Sequence, residues 1–280
     1  MDRVLLSASP SNIQACIRLA LQYSLGIEVM AFAYPDLLDG NWQDALADYK
    51  QMLHPIRGMI TMHGPFMDMA PGSPDKQINK VVRERYQHGI RVASELGAEV
   101  IVFHANFIAS IGNLEYRYGW HQRNVEFWGP MAEYAAEHGV TIAVENMWEF
   151  DPDIIADVLR EVDHPNLRAC LDVGHAHLFS IFRRDLTFED WLKAFGPWLV
   201  HTHMNNNDGS IDVHRGLHEG VLDYTQIMRR IRQMPKPPSI TLEIDRVSDM
   251  KISLSYMELM RPTGHLRNLV LSEYTTPPDA

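Results

Sequence analysis

Eight short runs rich in β-branched and other apolar residues recur along the chain, at positions 4–8, 27–32, 59–62, 100–103, 140–144, 167–171, 199–202 and 240–244. Each is nearly continuous in apolar character rather than alternating with polar positions, which is the pattern of a strand covered on both faces. Between them the period lengthens to that of a helix, as at Val81, Tyr86, Ile90, Ala93 and Leu96. Gly97 and Gly139 then stand where a left-handed helix cap is expected. This alternation predicts a parallel sheet wrapped by helices, and eight repeats of the unit predict a closed (β/α)8 TIM barrel of the α/β class, an eight-stranded parallel barrel with outer helices.

The 280 residues suit one such barrel, whose typical length is roughly 250 residues, so residues 1–280 are expected to form a single domain. The prolines at 235, 237 and 238 read as a rigid entry into the last strand, and no shift in composition marks a linker. The stretch from about residue 248 is expected to open as a helix and then to close the barrel bottom or pack on a neighbour, with 275–280 frayed.

The strand C-termini of such a barrel build its site, and the informative polar residues cluster there. His63, His104, Glu145 and Asp172 each follow an apolar run directly. His175 lies three residues past Asp172, His203 closes the seventh run and Glu243 lies in the eighth, while Asp212 and His214 alternate on a loop. Residues so far apart in sequence converge only if the strands lie side by side and end on one face. Imidazole and carboxylate together suit zinc, manganese, cobalt or iron, and a set without cysteine suits a catalytic rather than a structural site. The nine exceed the needs of one ion, so about one to three divalent ions are expected, zinc or manganese foremost, with shared carboxylates where there are several.

Phe66, Trp148, His201 and Arg215 are candidate substrate contacts near this face; His201 equally suits a packing role beside the ligands. Phe107, Tyr116, Tyr118, Trp120 and Phe150 fall on the same mouth loops, and Arg183 and Arg184 could anchor a phosphate. His54, His88, His121, His138 and His164 read as surface or structural residues, and His177 and His218 stay open.

Charge narrows the choice of substrate. Asp plus Glu total 36 against 25 Lys plus Arg, a formal charge of −11, which repels phosphate backbones and anionic membranes at long range. The expected mouth loops add Asp36, Asp39, Asp68, Asp75, Glu115, Glu149, Asp151, Asp153 and Asp208 against few cations such as Arg117 and Arg215. Both features argue against nucleic acid, and a small enclosed pocket with aromatic walls and a metal floor would suit a small-molecule substrate such as a polyol or hydroxy-ketone. Two cysteines, Cys16 and Cys170, are too few for a disulfide framework and imply a reducing compartment. The opening residues lack the pattern of a signal peptide and no run of about 18 apolar residues occurs, so a cytoplasmic protein without a membrane partner is expected. Assembly as a monomer or a homodimer is equally compatible with the sequence.

The motifs His63-Gly64-Pro65-Phe66, Val144-Glu145-Asn146, Leu171-Asp172-Val173-Gly174-His175, His203-Met204-Asn205-Asn206, Asp212-Val213-His214 and Thr241-Leu242-Glu243 follow one another in order. As a set they resemble the xylose isomerase-like TIM-barrel superfamily, which includes endonuclease IV. The resemblance to endonuclease IV implies a first zinc on His63, His104 and Glu145, a second on Glu145, Asp172, His203 and Glu243, and a third on His175, Asp212 and His214. The resemblance to the sugar isomerases and epimerases implies one ion on Glu145, Asp172, His203 and Glu243. The chain departs from the endonuclease pattern at Asn206, where aspartate is usual, at His218-Glu219-Gly220, where a glycine pair is usual, and in a short loop from His203 to Asp212. The expected activity is a metal-dependent sugar or sugar-phosphate isomerase or epimerase, with Glu145 and Glu243 moving a proton next to a carbonyl. A two- or three-zinc phosphoesterase acting on a small phosphodiester, a hydroxy-ketone dehydratase and a metal-bound sensing protein are the alternatives.

Overall fold

The computed structural model describes residues 2–111, 113–180 and 185–259. Arg183, Arg184 and the tail past residue 259 lie outside the described residues.

Eight strands, β1 (Val4–Ala8), β2 (Gly26–Val29), β3 (Ile60–His63), β4 (Val100–His104), β5 (Thr141–Glu145), β6 (Leu167–Asp172), β7 (Leu199–Met204) and β8 (Ser239–Leu242), pair in chain order into a closed barrel. Every pairing is parallel, and β8 closes onto β1 through Leu5 and Thr241. The intervening segments hold helices α1 (Ile13–Tyr23), α2 (Pro35–Asp39), α3 (Trp42–Leu53), α4 (Lys76–Leu96), α5 (Leu114–Glu137), α6 (Asp153–Val162), α7 (Val173–Phe179), α8 (Phe188–Phe195) and α9 (Tyr224–Gln233), and α10 (Val247–Leu259) follows the last strand. The expected TIM barrel is therefore the observed fold.

Two strand ends and one helix face differ informatively from the sequence pattern. The second run ends as a strand at Val29, and Ala31–Ala33 form a buried 3-10 turn, because an apolar segment can bury itself as readily in a turn as in a strand. The eighth strand stops at Leu242, so Glu243 lies just past it. On α4 the buried stripe runs through Val82, Tyr86, Ile90, Ala93 and Leu96, while Val81 is 51 % exposed, one step off that face. Gly97 and Gly139 do take the left-handed conformation, with φ of 81° and 68°.

The large hydrophobic core lies between the outer faces of the strands and the helices. Inside the barrel the apolar cluster is small, formed by Val100, Val102, Ala143 and Cys170. Because side chains alternate along a strand, His104 shares the inner face with Val100 and Val102, Glu145 with Ala143, Asp172 with Cys170, and His203 with His201. The register sets His104 beside Glu145 and Asp172 beside His203. Period two and parallel register together thus deliver the inward polar residues to one end. No helix among the described residues is long and apolar enough to cross a membrane.

Tyr86 anchors the outer core under β4, with its ring stacked on Phe103 at 4.0 Å and against Trp128 at 5.7 Å. Its hydroxyl is buried without a hydrogen-bond partner, so burial pushes its pKa up. Tyr86→Phe is expected to stabilise the chain by about 1 kcal/mol, because it removes a polar group that folding strips of water. Tyr86→Ala should cost about 3–5 kcal/mol through the cavity it leaves. Urea melts of both variants measure these opposite signs.

Candidate metal centre

Each of the nine expected ligands reaches the same end of the barrel for a local reason. His63, His104, Glu145 and Asp172 are the last residues of β3, β4, β5 and β6, and His203 is the last inward residue of β7. Asp172 also caps α7: its Oδ1 accepts the backbone N–H of His175 at 2.6 Å, which brings the His175 ring back over the strand ends. Asp212 and His214 come from the loop after β7, held through the antiparallel backbone pair of Asn206 and Arg215.

The nine form three groups, in each of which the candidate ligand atoms lie within 4.8 Å of one another: His63, His104 and Glu145; Glu145, Asp172, His203 and Glu243; and His175, Asp212 and His214. Glu145 belongs to two of them. Its Oε2 is 3.4 Å from His63 Nε2 and 3.3 Å from His104 Nε2, while Oε1 is 3.2 Å from His203 Nδ1 and 3.4 Å from His175 Nδ1. Glu243 Oε2 approaches the same His203 Nδ1 at 3.2 Å, and Asp212 lies 3.3 Å from His175 and 3.4 Å from His214.

These separations fit ligands better than hydrogen bonds. A tetrahedral shell with bonds of about 2.0–2.1 Å has edges of about 3.3–3.4 Å, whereas charge-assisted hydrogen bonds are about 2.7–2.9 Å long. Glu145 Oε2, His175 Nε2, His203 Nδ1 and Glu243 Oε2 are buried and have no hydrogen-bond partner, a costly state for polar atoms unless something else binds them. Two imidazoles are also turned to offer a lone pair. His63 Nδ1 lies 2.9 Å from Gly64 O and His175 Nδ1 lies 3.1 Å from Asn146 O, so in the neutral ring the N–H sits on Nδ1 and Nε2 is the nitrogen left to an ion. The residues present therefore fit divalent ions.

Burial disfavours charge on every member, so the direction in which each titrates reports its neighbours. Against that burial, His203 and His104 hold Glu145 well below the usual carboxylate range. Glu243 is brought down to about 2 by His203 and His214 in the same way. At Asp172 burial wins and lifts the carboxyl to about 6, with the charges of Glu145 and Glu243 opposing the pull of His175. The surrounding carboxylates outweigh burial at His175 and His203, which are held well above the ordinary imidazole value, and at His214, raised to about 9. Burial leaves His104 below it. Ion binding here would have to displace protons.

The expected substrate contacts divide. Phe66 sits over the His63 and His104 rings, at 5.2 and 5.1 Å, and Trp148 is 43 % exposed on the loop after β5. The other two are corrected by their partners. His201 is fully buried inside the barrel, with Nδ1 2.6 Å from Ser239 Oγ and Nε2 2.7 Å from Glu28 Oε2, so both ring nitrogens are engaged away from the mouth. Arg215 donates to Asp208 Oδ2 at 2.8 Å, an ion pair closed within its own loop. Phe107 packs against Phe150 and against Tyr116 and Trp120, which with Tyr118 lie on α5 rather than on a mouth loop. The acidity of the mouth is also partly neutralised, since Arg117 pairs with Asp151 at 3.0 Å and Arg85 donates to Asp39. His177 and His218 are exposed.

Sequence reasoning missed several residues that hold this geometry. Glu28, a lone carboxylate in the apolar run of β2, is fully buried and accepts from Thr61 at 2.8 Å and Thr241 at 2.9 Å. Its closeness to His201 and His203 also makes a candidate cation group, but the His201 contact is a hydrogen bond at 2.7 Å, and the His203 contact, at 2.9 Å, is shorter than the edge of a ligand shell although it makes no hydrogen bond. Asn146 donates to Asp172 O and accepts from Asp172 N, and Asn205 donates to Asp172 Oδ2 at 2.9 Å. Glu149 accepts the backbone N–H groups of Phe107 and Met147, tying two mouth loops together, and burial lifts its pKa to about 7. A charged residue inside an apolar strand was the available signal for Glu28. The asparagines carried none beyond their place in the motifs.

The match to known proteins agrees with this architecture. The family described as xylose isomerase-like TIM barrel matches residues 19–262, and the chain belongs to that family. A protein of Methanocaldococcus jannaschii, MJ1311, described as uncharacterized, is 26 % identical over 211 residues, covering 72 % of this chain and 71 % of its own. The TTHB071 protein from Thermus thermophilus, whose structure comes from soaking with ZnCl2, superposes with a TM-score of 0.76 at 25 % identity, covering 92 % of this chain and 97 % of that one. A D-tagatose 3-epimerase-like protein superposes with a TM-score of 0.77 at 19 % identity, covering 92 % and 96 %, a likeness of fold.

Asn206 locks the loop that carries Asp212 and His214. Its amide donates to Leu217 O at 3.0 Å and Leu222 O at 3.3 Å, and its Oδ1 accepts the N–H groups of Asn207 and Leu222. An aspartate here could not donate to either carbonyl, which accounts for the asparagine. Asn206→Ala is expected to cost about 2–4 kcal/mol by leaving these groups unpaired, and hydrogen exchange should show faster opening across residues 207–222 than in the barrel strands.

Proposed function

We propose that the chain is a divalent-metal-dependent isomerase or epimerase of a small sugar or sugar derivative, acting by proton transfer next to a carbonyl. The observation that carries this reading is the approach of two carboxylates, Glu145 from the end of β5 and Glu243 from just past β8, to the same His203 nitrogen at 3.2 Å each. Glu145, Asp172, His203 and Glu243 would hold the ion, and an ion bound there supplies electrophilic stabilisation of the oxyanion that develops as the adjacent proton leaves. Glu145 and Glu243, held ionised by the imidazoles around them, can each carry a proton at a carboxylate oxygen. Phe66, seated over His63 and His104, and Trp148 at the mouth offer apolar walls to a carbon skeleton. The fold shared with a D-tagatose 3-epimerase-like protein supports the same class of chemistry. Loss of a neighbouring hydroxyl from the same intermediate would turn the site into a dehydratase.

A second reading, a two- or three-metal phosphoesterase for a small phosphodiester, is favoured by one specific feature. The two oxygens of Glu145 face different imidazole sets, as a bridging carboxylate would, and His175, Asp212 and His214 add a third group. The count of ions decides the charge that a substrate meets. One divalent ion among Glu145, Asp172 and Glu243 leaves the centre net negative and suited to a neutral polyol. Three ions among those carboxylates and Asp212 leave it net positive and suited to a phosphate.

Elemental analysis of the chain purified without added metal or chelator, followed by turnover assays, tests the choice. The proposal expects about one ion per chain and turnover of a ketose or ketose phosphate. Two to three zinc ions with cleavage of a small phosphodiester would replace it by the second reading. Glu145→Ala should abolish metal uptake in both cases, and unchanged metal content would refute the shared centre itself. Glu243→Gln should retain fold and lower kcat by roughly 10²- to 10⁴-fold.

A further inference from the structure

We infer that Glu28 positions His203 as a metal ligand, acting from the interior of the barrel on the side of the ring opposite the candidate centre. The inference rests on the proposal that the centre binds a divalent ion, and it concerns a residue that no ligand group at the mouth includes.

Glu28 is the one charged residue in β2, and the register places it beside Ser7 and Thr61 on the inner face. Its carboxylate reaches across the interior to β7, where His201 and His203 project inward two residues apart. Oε2 is occupied three times over, 2.7 Å from His201 Nε2 and accepting from the hydroxyls of Thr61 and Thr241. Oε1 lies 2.9 Å from His203 Nε2 in a bent contact. The opposite nitrogen of that ring, Nδ1, faces Glu145 and Glu243 at 3.2 Å. One imidazole thus stands between the buried carboxylate and the candidate centre.

A neutral imidazole carries one N–H, and which nitrogen bears it decides whether the other can ligate. An ionised carboxylate can only accept, so Glu28 favours the form of His203 with the proton on Nε2 and a bare lone pair on Nδ1. That form directs the lone pair at the centre. The hydroxyls of Thr61 and Thr241 and the His201 ring, itself braced by Ser239 Oγ at 2.6 Å, hold the carboxylate in place. Outer carboxylates of this kind orient a ligating imidazole and strengthen it as a ligand. A cation on Nδ1 would in turn offset the negative charge that Glu28 buries on the other side of the ring.

Gln is the informative replacement. It keeps the shape but offers one accepting oxygen where the carboxylate serves four neighbours, and its NH2 must face a nitrogen or hydroxyl that now donates toward it. The full chain is titrated with zinc against a competing chelator as wild type, Glu28→Gln, His203→Ala and the double variant. Zinc affinity is expected to fall by roughly 10- to 100-fold in Glu28→Gln, with no further loss when the same change is made in His203→Ala. Unchanged affinity in Glu28→Gln overturns the inference, and so does an equal loss in both backgrounds, which would mean that Glu28 acts by some route other than His203. Long-range proton–nitrogen NMR of the metal-free wild-type chain, recorded at a pH high enough to leave the His203 ring neutral and with its signal assigned by its absence in His203→Ala, needs no altered Glu28 and is expected to show the single ring proton on Nε2. A neutral ring with its single proton on Nδ1 overturns the inference even if Glu28→Gln fails to fold. A wild-type chain that takes up no zinc fails the metal reading instead, and the NMR result then still decides whether Glu28 sets the form of His203.

Discussion

The structure depends on the burial of carboxylates at one end of the barrel. Glu145 is almost completely buried, as are Glu28, Asp172 and Glu243, and a buried charge costs several kcal/mol unless it is closely paired. Imidazoles supply the pairing. His63, His104, His175 and His203 surround Glu145, and His201 and His203 bracket Glu28. Most of these pairs at the mouth keep the separations of atoms around an ion rather than those of closed hydrogen bonds. The centre is thus a set of charges that folding brings together without fully satisfying, and a divalent cation is the species best suited to complete it.

The barrel makes that concentration possible. Parallel strands end on one face, side chains alternate inward and outward, and the last inward position of each strand becomes a place at a common centre. The stabilising core is kept apart, between strands and helices, which frees the barrel interior for polar residues such as Glu28, Thr61, His201, Ser239 and Thr241. Asparagines then lock the loops around the ligands. Asn146 and Asn205 hold Asp172 from both sides, and Asn206 folds the loop carrying Asp212 and His214. Gly174 is required beside them, because a Cβ at that position would meet Asn205 Oδ1 at 2.0 Å.

The charge of the site, more than its fold, separates the chemistries open to it. The same nine side chains could take one ion or several, and each added ion would move the centre from attracting neutral, oxygen-rich molecules toward attracting phosphates. Around the mouth, Arg117 and Arg215 are each paired with an aspartate, so these guanidinium groups are held by the protein itself. That arrangement accords with the proposed small substrate, for which Phe66 and Trp148 are the candidate apolar contacts.

The barrel and the nine candidate ligands were legible in the sequence because both are written in local order. A strand covered on both faces reads as an apolar run, and a residue at its end needs only its position relative to that run to be placed. The exact ends were less legible, as at Ala31–Ala33, because apolar character does not distinguish a buried turn from a strand. What the tertiary structure alone decided was which residues meet. His201 and Glu28 are 173 positions apart, and only closure of the barrel turns His201 from a possible substrate contact into the partner of a buried carboxylate. Arg215 is taken by Asp208, seven positions away, because the loop folds back through Asn206, which no periodicity records. The division of the nine into three groups sharing Glu145 likewise followed from distances across strands, since sequence fixes the order of side chains along the chain while register and barrel closure fix their separation in space.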